Sequence, residues 1–129
     1  MRRFYNLAEG ISALRPNSQW AMRDNNINQL SWYSTDSDPP TLEEIQAKIV
    51  ELEADEPMRV LREIRDWYLQ NSDWTQMQDL RTLRGTEWCA AWDTYRQQLR
   101  DFPSSGITPY FDDMNVIQGV TWPAAPEST

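Results

Sequence analysis

The sequence predicts a helix-dominated α+β fold: a small N-terminal β-hairpin packed with a three-helix core, followed by an extended C-terminal tail. Three observations predict it. Two helix starts carry strong capping residues, Pro57 stands where a helix begins, and the apolar residues after Thr41 recur at helical rather than alternating spacing. At 129 residues the chain is one domain's worth of sequence, enough for a single modest core. The expected division is a helix-and-hairpin module at 1–40, a helical core at 41–103 and a Pro-containing tail at 104–129.

The elements follow in order. Leu7, Ile11 and Leu14 lie at helical spacing, Pro16 closes that pattern and Gly10 weakens it. Trp20 and Met22 on one arm and Leu30 and Trp32 on the other flank Asp24-Asn25-Asn26, where asparagine tolerates the left-handed backbone of a hairpin turn. Strands are expected near 18–23 and 28–33, with Trp20 and Trp32 covering a helical core rather than forming a ligand platform. Pro39-Pro40 forbids earlier helix, Thr41 is the N-cap, and Glu44 completes a Thr-x-x-Glu capping box for a helix over 41–55. Leu42, Ile45, Ile49 and Leu52 make one narrow apolar seam. Between Asp36 and Glu56 eight acids face the single Lys48, which reads as a solvated helix face before it reads as a surface steering a basic partner.

Pro57 suits the first turn of a second helix, 57–71, with Leu61, Ile64 and Tyr68 on one stripe and Val60 and Trp67 beside it. The third helix, 86–101, has Thr86 as its N-cap, Glu87 in the favourable first turn and Pro103 beyond its end. Trp88, Trp92, Tyr95 and Leu99 recur along it at core spacing. Asn71 and Ser72 stop the preceding helix, and Asp73 with Gln76 reads as a capping box around one new turn. That turn, held by Ser72, Asp73 and Gln76, aims Trp74 as a largely buried wedge towards Trp67, Trp88 and Trp92.

Composition narrows the function. A net charge of −8 disfavours phosphate backbones and anionic lipid, so neither nucleic acid nor membrane is an expected partner. There is no histidine, the single Cys89 forms neither an internal disulfide nor a Cys-based zinc site, and no Gly-rich phosphate loop appears among four glycines. Asp112-Asp113 reads as a turn rather than a metal site. The expectation is a non-enzymatic protein with no cofactor, no metal and no small-molecule substrate. Two arginines near the start precede no apolar run, so no signal peptide is read, and a soluble intracellular protein is expected.

Seven tryptophans are many for this length, and tryptophan beside arginine is frequent hot-spot chemistry. The candidate partner-binding residues are Arg65, Trp67, Trp74, Trp88, Trp92, Tyr95, Arg96, Arg100 and Trp122. The third helix with Val120–Pro126 is the expected face, and removal of 104–129 is expected to leave the core's melting nearly unchanged.

One resemblance is specific. Arg65, Asp66, Leu69, Ser72 to Gln76 and Asp79, followed by Trp92, Tyr95 to Gln97, Leu99 to Asp101 and Pro103, resemble the phage tail assembly chaperone family, including tail-fibre assembly chaperones. The closing Val120–Pro126 is similar to the way such chains finish, and the hairpin with "PPTLEEI" is similar to N-terminal modules of phage proteins. "LRTLRGTEW", Leu80 to Trp88, departs from the family's Pro- and Ala-containing segment. The resemblance implies an ATP-independent factor in the host cytoplasm that covers a tail-fibre or baseplate protein during assembly. The competing reading is an adaptor retained on the virion's fibre or baseplate.

Overall fold

The computed structural model describes residues 1–127 and is mainly helical with the predicted N-terminal hairpin, to which the tail adds a second small antiparallel hairpin. It divides into two compact units, Arg3–Glu56 and the chain from Pro57 on together with Met1 and Arg2.

In the first unit, α1 (Leu7–Leu14) is capped by Asn6, whose side chain accepts the Glu9 amide at 3.1 Å. Gly10 is the contact point rather than a weakness. A Cβ there would lie 2.8 Å from Ile45 Cγ2, so only glycine permits this approach of the α1 backbone to Ile45. Ile11 and Ile45 are fully buried. Strands β1 (Trp20–Met22) and β2 (Leu30–Trp32) pair antiparallel with Trp20 opposite Trp32, over a turn in which Asp24 and Asn25 take positive φ. The Trp32 indole donates to the Ser37 carbonyl at 2.8 Å. Thr41 and Glu44 cap α2 reciprocally: each backbone amide donates to the other's side-chain oxygen, at 3.1 and 3.2 Å. The Thr41 amide and hydroxyl hold the Glu44 carboxyl below the usual carboxylate range.

Helix α2 is a single element, Leu42–Asn71, and corrects the expectation of two helices. Pro57 sits inside it. A proline there removes one backbone donor and crowds the preceding turn, ordinarily costing about 3 kcal/mol. Burial on either side of it compensates: Ile45 before, Val60 and Leu61 after, and the Glu56 carboxylate accepting the Arg3 amide at 2.8 Å. The proline marks the division between units, not a helix end.

In the second unit, a 3-10 turn (Asp73–Gln76) leads to α3 (Gln78–Arg84), which was not foreseen, and to α4 (Thr86–Asp101). Thr86 is the first residue of α4 rather than its cap. Gly85 takes the cap position with φ +89°, donating its amide to Arg81 and accepting the Cys89 amide, so one residue ends α3 and starts α4. Trp92, Tyr95 and Leu99 form the core, with Tyr68, Leu69, Trp88 and Trp122 against it. The tail is not simply extended. Strands β3 (Tyr110–Phe111) and β4 (Ile117–Gln118) form a hairpin whose turn is held by Asp112, its carboxylate accepting the Met114 and Val116 amides at 2.8 and 3.0 Å.

Candidate partner-binding site

Arg96 organises the site. It projects from α4, where helical spacing places it beside Trp92, and only 8% of it is exposed. Its Nη1 donates to the Leu69 carbonyl at 2.9 Å and to Ser72 Oγ at 2.7 Å, and its Nη2 to Asp73 Oδ1 at 3.0 Å. One planar guanidinium therefore ties the end of α2 and the first residue of the 3-10 turn to α4, a task suited to its fixed fork of donors. The Ser-Asp-Trp-Thr-Gln and Trp-x-x-Tyr-Arg-Gln runs are thus two halves of one hydrogen-bond network.

Asp73 and Gln76 do not form the expected capping box. Ser72 caps the turn without a side-chain bond, Asp73 is turned to Arg96, and the Gln76 amide donates to Thr75 Oγ1 at 3.1 Å. Thr75, not Trp74, is the turn's fully buried residue, its hydroxyl donating to the Ser72 carbonyl at 2.7 Å. A second clamp lies beside the first. Arg81 from α3 makes a bidentate pair with Asp93 of α4 at 2.8 and 3.0 Å, and its Nη1 also reaches the Thr75 carbonyl at 3.4 Å. The hydrogen bonds from Arg81 hold the Asp93 carboxyl below its usual range and raise the Arg81 guanidinium in turn. Neither residue was singled out from sequence, because α3 itself carries no capping signature.

These clamps present Trp74 in a pose that differs from the expected buried wedge: 39% of it is exposed. Its ring lies 5.3 Å from Trp92 and 6.0 Å from Trp88, centroid to centroid, so it rests on α4. Trp88 lies 6.2 Å from Trp92, and Trp92 meets Tyr95 edge to face at 5.7 Å. Burial pushes the Tyr95 hydroxyl upward.

A second aromatic row runs through Trp67, Tyr68, Trp122 and Phe102, with neighbouring centroids at 5.2, 5.1 and 4.7 Å. Trp67 is exposed, whereas Trp122 is half-buried. Arg65 pairs with Asp66 at 2.6 Å and donates to the Arg100 carbonyl at 3.3 Å, joining α2 to α4. Of the nine candidates, then, Trp92, Tyr95 and Arg96 are buried and belong to the core, Arg65, Trp88 and Trp122 are half-buried, and Trp67, Trp74 and Arg100 are exposed. Among the described residues no group of three or more His, Cys, Asp or Glu could hold a metal ion, and no helix is long and apolar enough to cross a membrane.

The second unit is a small helical domain that displays aromatic side chains on a polar clamp. Residues 58–127, more than half of the chain, match the family model described as phage tail assembly chaperone protein, and the chain belongs to that family. No curated protein and no solved structure matches it.

Proposed function

We propose that the chain is a non-enzymatic chaperone that holds a tail-fibre or tail subunit in the host cytoplasm, covering apolar surface on that subunit until it assembles. The observation that carries this reading is the pose of Trp74: exposed, resting on Trp88 and Trp92, with its chain neighbours Asp73 and Thr75 bonded to Arg96 and Arg81. A side chain that served only the core would not need its turn tied by an ion pair to Arg96 and a hydrogen bond from Arg81 while it stands part-way out of that core. Rigid, partly exposed tryptophan is what a protein interface uses as an anchor, because little entropy is lost when it is covered. Release needs no nucleotide if the contacts between the client's own subunits are stronger than those to the chaperone.

Co-purification from infected cells tests the proposal. A tail or fibre subunit is expected to accompany the wild-type chain in lysate and to be lost with Trp74→Ala, while mature particles lack the chain. Presence in particles at fixed copy number would instead make it a retained adaptor, and absence of any tail protein from the lysate complex would defeat both readings.

A further inference from the structure

We infer that the face formed by Trp74, Met77, Arg84 and Trp88 takes an apolar segment of a protein partner that carries a carboxylate, with the carboxylate meeting Arg84. The inference rests on the chaperone reading and adds to it the chemistry of what is held. Apolar area is open here. Met77 is 61% exposed and closes the turn that carries Trp74, its amide donating to the Trp74 carbonyl.

Charge then selects the occupant. The Arg84 guanidinium lies 5.9 Å from the centroid of the Trp88 ring. Among the described residues it has no carboxylate partner: Asp79 and Glu87, the nearest in sequence, form no ion pair with it, and Asp93 is committed to Arg81. The chain carries 20 Asp and Glu against 12 Lys and Arg, yet no described carboxylate pairs with this guanidinium. A guanidinium beside a ring keeps its donors free, and a carboxylate fits its edge with two parallel bonds. A basic segment would be repelled.

Two capped synthetic peptides test this, identical in a Leu-Ile-Phe run and differing only in Glu or Gln beside it. Binding is followed through the indole N–H resonances of the full-length protein. The Glu peptide is expected to shift Trp74 and Trp88 and to bind about 3- to 5-fold more tightly than the Gln peptide at low salt, the scale of an exposed ion pair. Arg84→Gln is expected to erase that preference with the helical circular dichroism unchanged, and Arg84→Lys to retain part of it. The inference is overturned by equal affinity for the two peptides, by shifts confined to Trp67 and Trp122, or by no shift with either. Shifts that follow protein concentration alone would assign the face to a second copy of the chain and also overturn it. Failure of the chaperone reading is separable: no tail subunit in the lysate complex, with the Glu preference intact, removes the function but not the surface chemistry.

Discussion

Replacing Arg96 with methionine removes the network that holds the end of α2, the 3-10 turn and α4 together, while keeping an apolar stem of similar length. Three hydrogen bonds are lost, to the Leu69 carbonyl, Ser72 Oγ and Asp73. Bonds from a charged donor each contribute about 1.5–3 kcal/mol net. The sum is smaller than three such terms for two reasons. The Asp73 side chain is 65% exposed, so water screens that pair and its share falls to about 1 kcal/mol or less. The Arg96 Nε is buried without an acceptor, and that penalty disappears with the substitution. What remains is dominated by Leu69 and the buried Ser72, giving a loss of about 2–4 kcal/mol. Urea unfolding measures it as a fall in midpoint at constant slope, and Asp73→Ala, which removes only the exposed acceptor, is expected to cost about 1 kcal/mol or less. A loss below about 1 kcal/mol for Arg96→Met would mean that aromatic stacking alone holds the turn, and the polar clamp would lose its role.

Trp74→Ala is expected to cost only about 1–2 kcal/mol, less than the 3–5 of a fully buried aromatic because over a third of it is already in water, and thermal melts set beside client co-purification check it. Removal of residues 104–129 is now expected to lower the melting temperature, reversing the expectation from sequence, because Trp122 stacks on Tyr68 and Phe102; a melt within about 2 °C of the full chain would return the tail to a dispensable role. Asp93 has a folded pKa below its unfolded value, so the stability it adds is present above the ordinary carboxylate range and is lost as pH falls through the lowered value. Asp93→Asn is expected to flatten the acid side of the stability–pH curve, which denaturant titrations from neutral to below about pH 4 would reveal.

How much was legible in the sequence varied with how local the cause was. Thr41 and Glu44 lie three residues apart and cap α2 by touching each other, so their pattern reads directly. The stripe of Trp92, Tyr95 and Leu99 is equally local, and these are the buried residues of the core. Pro57 misled because its local effect on a helix is overridden by burial on both sides, which no local pattern records. Helix α3 escaped notice since "QDLRTLR" has neither a side-chain cap nor a full apolar stripe; its anchor is Arg81 meeting Asp93, twelve residues away on another helix. Strands of two residues in the tail are too short to show alternation. For the site, residue type was legible and exposure was not. Whether Trp74 or Thr75 turns inward depends on where Arg96 pulls the chain, and that is settled only when α4 is in place.

The bonds from Arg96 span 23 to 27 residues, and the Arg81–Asp93 pair spans 12. Loops this short close at little entropic cost, and contacts of low sequence separation form early. During synthesis the Trp74 face therefore has all its supporting residues once α4 has left the ribosome, before the β3–β4 hairpin and Trp122 follow. Two-step assembly of this kind means that the nascent chain can shape its aromatic face while its own tail is still being made, and that Trp122 arrives as a late fastening on a surface already formed.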